Sequence, residues 1–189
     1  MNDIDYKKYF LRTLVVALSI SALIGIFIFL FGDFGETEFR ILLTTLTIGC
    51  YSLTGLCSAT IQNRTDLKSF SIIGMIISVI GFLITIGAIW DFFDFEGLWK
   101  VIMIFIILPV SIAHASLLLQ IRPKTDNIKY SLIGTIVFIS LVALMLMKST
   151  LTEFDESKLY YKLLGVFSIL DVLGIIATPI LNRITEKKE

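Results

Sequence analysis

Six stretches of this chain contain almost no charge. Residues 13–32, 41–63, 69–90, 101–121 and 130–147 hold no Asp, Glu, Lys or Arg, and 163–182 holds one, Asp171. Each is close to the ~20 residues that span about 30 Å of hydrocarbon at ~1.5 Å per helical residue. A soluble helix of that length carries a polar face; these carry scattered Ser, Thr and Gly instead. With 56% of residues hydrophobic and a mean hydropathy of +0.89, the chain is expected to be an all-α polytopic membrane protein. The spacing predicts six transmembrane helices in a single domain over 1–189, with short loops and no separate soluble domain.

Basic residues set the expected orientation. One side collects Lys7, Lys8, Arg12, Arg64, Lys68, Arg122, Lys124, Lys129, Arg183, Lys187 and Lys188; the other holds Arg40, Lys100, Lys148, Lys158 and Lys162. Short loops rich in Lys and Arg stay cytoplasmic. Both termini are therefore expected in the cytoplasm, and the protein in the cell membrane as a multi-pass chain. The net charge of zero conceals this asymmetry, because the outer loops are acidic. The first apolar run exceeds the usual ~7–15-residue signal core and no small-residue cleavage site follows it, so it is read as retained.

The connections repeat. Thr65-Asp66-Leu67-Lys68-Ser69-Phe70-Ser71-Ile72-Ile73-Gly74 matches Thr125-Asp126-Asn127-Ile128-Lys129-Tyr130-Ser131-Leu132-Ile133-Gly134, and Asp5-Tyr6-Lys7-Lys8-Tyr9 gives a weaker third copy. Each outer loop carries three acids: Asp33, Glu36, Glu38; Asp91, Asp94, Glu96; Glu153, Asp155, Glu156. An aromatic, a base and an aliphatic residue then open each even helix, as Phe39-Arg40-Ile41, Trp99-Lys100-Val101 and Tyr161-Lys162-Leu163. A fixed period with two helices per copy is the mark of internal repetition. The expected architecture is three parallel two-helix hairpins, about 1–64, 65–124 and 125–189, around a pseudo-threefold axis along the membrane normal.

Polar residues favour the even helices. Helix 2 holds Thr44, Thr45, Thr47, Tyr51, Ser52, Thr54 and Ser58; helix 4 holds Ser111, His114, Ser116 and Gln120; helix 6 holds Ser168, Asp171 and Thr178. Lipid cannot satisfy such groups, so they turn toward protein or water, and the even helices are expected at the centre. Small residues in helix 3, from Ser71 through Gly74, Ser78, Gly81 and Thr85 to Ala88, form a close-packing seam.

Aligning the three copies puts Gly49, Pro109 and Asp171 at one depth. A proline frees a backbone carbonyl and a glycine leaves room, so a central polar spot is expected there, with Asp171 on its wall and Tyr51 and Ser111 as hydrogen-bond partners. His114, the sole histidine, lies five residues beyond Pro109, about 7–8 Å along the helix, as a relay step toward the cytoplasm. The candidate ion- or solute-binding residues are thus Asp171, His114, Tyr51 and Ser111. A carboxylate at this depth is expensive unless it is used or paired.

Enzyme chemistry finds no support. One histidine and two cysteines, Cys50 and Cys57 on one helix, do not form a familiar zinc or haem set. No glycine-rich loop ending in Lys-Ser or Lys-Thr is present for phosphate, and no second carboxylate in the spans accompanies Asp171. No catalytic residue, metal or cofactor is expected. The expected partners are the lipid bilayer and protein chains, a second copy included; nucleic acid is excluded for want of a basic patch. The leading expectation is a transport or permeation protein for protons, cations or a small solute. The alternative is a non-catalytic scaffold or regulatory subunit of a larger complex.

Overall fold

The computed structural model describes residues 6–31, 35–93, 95–123 and 125–186. The chain is all-helical, with no strand among the described residues. The helices are α1 (Tyr6–Phe31), α2 (Glu36–Ala59), α3 (Lys68–Ile89), α4 (Leu98–Leu119), α5 (Asp126–Leu151) and α6 (Lys158–Glu186). Five of them, α2 to α6, are long and apolar enough to cross a membrane, while the apolar part of α1, Leu11–Phe27, is shorter. Long apolar helices with wide exposed apolar surface, such as Ile72, Ile76, Leu83, Leu144 and Ile176, fit a membrane protein. In water that surface would be an aggregation hazard; in lipid it is the solvated face.

Packing follows the small residues. Ser71, Gly74, Ser78 and Gly81 on α3 are all buried. A Cβ at Gly74 would lie 2.6 Å from Ser58 Oγ and 2.7 Å from Ile112 Cγ2, so α3 fits tightly against α2 and α4 at this point. The Ser71 hydroxyl donates to the Ser58 carbonyl at 2.7 Å and the Thr54 hydroxyl to Ser78 Oγ at 3.1 Å. The expected seam is therefore used, and polar groups join it because hydrocarbon gives them no other partner.

The acidic-end loops share one geometry. α3 and α5 both end with a hydrogen bond reaching back five residues: Phe92 N–H to the Gly87 carbonyl at 2.8 Å, and Phe154 N–H to the Ser149 carbonyl at 2.7 Å. That bond closes a Schellman turn and needs a left-handed residue just past the helix. Here that residue is an acid: Asp91 at φ 53° and Glu153 at φ 54°. A base from the preceding even helix holds each acid. Arg40 pairs with Asp91 and donates to the Ile89 carbonyl at 2.8 Å. Lys100 pairs with Glu153 at 2.8 Å and lies 3.4 Å from the Leu151 carbonyl. The base opening one even helix thus closes the loop of the next hairpin.

The helices form an open row rather than a ring. α2 packs on α1, α3 and α4; α4 packs on α2, α3, α5 and α6; α6 packs on α5 and briefly on α4. Among the described residues α2 and α6 do not meet, and α1 touches only α2. The closed pseudo-threefold arrangement expected from the repeat is therefore absent. Of the even helices α2 and α4 each pack on three or more others, but α6, expected at the centre, lies at the end of the row, with 6% of its span buried against 39% for α2.

Candidate functional site

Two prolines shape the interior. A helical proline has no N–H for the carbonyl four residues earlier. Pro109 on α4 therefore frees the carbonyl of Phe105, and Pro179 on α6 frees that of Ile175. Pro109 is fully buried. The freed carbonyl of Phe105 receives the Tyr51 hydroxyl at 3.0 Å, with Thr85 Oγ1 also 3.0 Å from that hydroxyl. The approach is possible because Gly81 lies beneath the ring, where a Cβ would come within 2.7 Å of Tyr51 Cε1. Tyr51 thus joins α2, α3 and α4 at one point.

The corresponding position on α4 is Ser111, and its short side chain does not reach α6. It donates to the carbonyl of Ile107 on its own helix at 2.8 Å. This is a physical reason why the α4–α6 packing is brief where the α2–α4 packing is extended. The basic end differs in the same sense. Between α2 and α4, Gln120 Nε2 donates to Thr60 Oγ1 at 2.8 Å and Arg64 to the Leu119 carbonyl at 2.7 Å. Between α4 and α6 there is a cleft of about 320 Å³, lined by Leu117, Gln120, Ile121 on one side and Ile175, Pro179, Asn182, Arg183 on the other.

Asp171 stands above this cleft. It belongs to the covered stripe of α6, with Leu164, Ser168, Ile175, Thr178 and Asn182 at steps of three and four, while Ile169, Val172, Leu173, Ile176 and Ile180 are exposed. Asp171 is half-buried. Its Oδ1 is shielded from solvent and has no hydrogen-bond partner among the described residues. His114, on an exposed part of α4, is within electrostatic reach of it. On the α5 side the stripe is sealed. Thr178 is fully buried and shares a 2.9 Å hydrogen bond with Ser131, and Thr135 crowds Gly174 so closely that no Cβ fits there.

The four candidate residues therefore divide. Asp171 and His114 lie within electrostatic reach of each other, although neither lines the α4–α6 cleft itself. Tyr51 is committed to Phe105 and Thr85, and Ser111 to its own helix, so neither partners Asp171. The single polar spot expected from Gly49, Pro109 and Asp171 does not form. Gly49 faces α1, where a Cβ would lie 3.9 Å from Leu18 Cδ2, and α6 does not reach α2. The sequence offered Arg183 only as one of the bases and Thr178 only as a polar residue of helix 6, and it did not single out the Ile175 carbonyl or Asn182. Counting back four residues from Pro179, as from Pro109, would have found that carbonyl.

Chemically, a half-buried carboxylate with an empty acceptor oxygen can take a proton or a cationic or hydrogen-bond-donating group. An imidazole nearby can pass or share that proton. Beyond them toward the basic end lie the carbonyl of Ile175, which Pro179 deprives of its helical donor, and the side chains of Gln120, Asn182 and Arg183, the last about 18 Å from Asp171 for twelve helical residues. The described residues are all-helical, and five long apolar helices fit a membrane protein with a partly polar cleft between α4 and α6. Comparison with protein-family models, with curated proteins and with solved structures found no match.

Proposed function

We propose that this chain is a six-span protein of the cell membrane, with α1 as the sixth span and both termini in the cytoplasm. Its three parallel hairpins, about 1–64, 65–124 and 125–189, descend from one repeated unit. The matching turns at Asp91 and Glu153, 62 residues apart and held by bases 51 and 53 residues earlier in the chain, support the repeat. Its function on this reading is passage of protons, cations or a small polar solute through the α4–α6 cleft, with Asp171 the deepest binding group and His114 the step below it.

One observation carries the reading: Asp171 keeps a shielded oxygen without a partner among the described residues, on the covered face of α6, one turn before a cleft that Gln120, Asn182 and Arg183 help to line. A purely structural acid in lipid would be expected to have both oxygens bonded. Flux is measured in liposomes under an imposed pH or cation gradient, comparing the unaltered chain with Asp171→Asn. The proposal expects the pH-dependent flux to vanish in Asp171→Asn while the protein remains folded. Equal flux in the two removes Asp171 from any transport role.

The scaffold reading keeps one specific support, the sparse cover on α6. Gentle extraction followed by mass spectrometry of the intact complex separates the two, since a stoichiometric foreign chain seated on α6 favours the scaffold.

A further inference from the structure

The contacts of the even helices follow a rule. α2 meets its own hairpin partner α1, then the next odd helix α3, then the next even helix α4. Likewise α4 meets α3, then α5, then α6. At the acidic end each step is fastened by a base on the earlier even helix and an acid in the left-handed turn of the next hairpin: Arg40 with Asp91, then Lys100 with Glu153. The third base in this series is Lys162, set between an aromatic and an aliphatic residue like the other two. It is exposed and has no ion-pair partner among the described residues. Its helix meets α5 and α4 only.

The chain therefore presents one flank at α6 that has made no onward step, and another at α1 and α2 that has received none. Two like steps leave hairpin 3 clear of hairpin 1, because the even helices lie in a row. A third step of the same kind needs a fourth hairpin. Interfaces of this head-to-tail type are heterologous, and copies of one chain can continue them. The charges agree. Lys162 offers a cation, and the first turn of α2 offers exposed acids at Glu38 and at Glu36, which is 79% exposed and paired with Arg40 of its own helix.

We infer that the α6 flank of one chain docks on the α1–α2 flank of a second copy, with Lys162 fastened to the acidic first turn of α2 in that copy, much as Arg40 and Lys100 are fastened within the chain. The inference rests on the repeated packing step and is independent of whether the cleft conducts.

Proximity between copies tests it. Cysteines are removed by Cys50→Ser and Cys57→Ser. One tagged copy then carries Leu159→Cys, one turn from Lys162 on the same helix face, and a differently tagged copy carries Thr37→Cys, between Glu36 and Glu38. Membranes from cells making both are treated with a flexible bis-maleimide. The expected result is an adduct carrying both tags, kept by Lys162→Arg and reduced severalfold by Lys162→Glu at equal protein level. Absence of the two-tag adduct overturns the proposal. So does an adduct confined to a single chain carrying both cysteines, which would mean that α6 closes on its own α1. An adduct indifferent to Lys162→Glu overturns it as well. Flux is not part of the readout, so failure here and failure of the transport reading are told apart.

Discussion

The Tyr51 hydroxyl donates to the carbonyl of Phe105 at 3.0 Å, the carbonyl that Pro109 deprives of its helical donor. A defect in one helix is thereby repaired by a side chain from another. The pairing yields a test in which two losses are less than additive. Tyr51→Phe leaves the carbonyl unpaired and should cost about 1 kcal/mol, the scale of a hydrogen bond between membrane helices. Pro109→Ala restores an N–H at position 109, so Tyr51→Phe should cost much less in that background. Unfolding in mixed micelles measures all four corners of the cycle. Equal costs of Tyr51→Phe with and without the proline would show that the bond is incidental.

Gly74 and Gly134 occupy matching places in two copies of one sequence pattern, yet their surroundings differ. A Cβ at Gly74 meets Ser58 and Ile112, while at Gly134 nothing lies within 4 Å. Gly74→Ala should therefore destabilise by about 1–3 kcal/mol through forced separation of α2, α3 and α4. Gly134→Ala should gain up to about 1 kcal/mol from helix propensity alone. The same unfolding assay reads both. A similar loss at the two positions would contradict the packing described for α3.

Water should reach one face of α6 and not the other. Single cysteines at Ile175 or Asn182, on the cleft, are expected to react with a membrane-impermeant thiol reagent. Cysteines at Ile176 or Ile180, exposed on the opposite side and 57% and 50% accessible, are expected to be shielded by lipid and to react at least severalfold more slowly. Uniform reactivity around the helix would show that the cleft is not the solvated side.

The Lys100–Glu153 pair makes the acidic end sensitive to low pH. The hydrogen bond from Lys100, and secondarily its charge, hold the Glu153 carboxyl below the usual carboxylate range. A group lowered in the folded state stabilises it above its ordinary value, about 4.3 for glutamate, and that contribution disappears as pH falls through the depressed folded value. The energy is small because the acid is exposed, so a local probe is needed. Trp99 stacks on Phe154 with ring centroids 6.1 Å apart, one residue from Glu153. With Trp90→Phe as background, Trp99 fluorescence should hold steady from neutral pH to the ordinary carboxylate value and change below it. Glu153→Gln should show the low-pH spectrum throughout; identical titrations of the two chains would dissociate the loop from this ion pair.

Asp171, Pro109 and the aromatic-base-aliphatic triplets were all legible in the sequence, but their partners were not. Pro109 announces a free carbonyl by its chemistry alone, yet whether Asp171 or Tyr51 receives it depends on which helix stands opposite. A closed ring of copies would put Asp171 beside Tyr51; with α6 away from α2, it lies within electrostatic reach of His114 instead. The acids and bases of the acidic end were visible as a pattern within each hairpin, whereas the ion pairs of Asp91 and Glu153 run from one hairpin to the next. Pro179 carried the same arithmetic as Pro109 and was overlooked.

The order of residues alone determined that the chain is helical and apolar over long stretches, because hydrocarbon admits only backbones that satisfy their own hydrogen bonds. Only the tertiary structure decided that the copies stand in an open row, that a tyrosine ties one junction while a serine leaves the next apart, and that the lone deep acid heads the loosened one. Helix formation is settled by neighbours along the chain. The spacing between helices is settled by the reach of particular side chains across a gap that no linear pattern records.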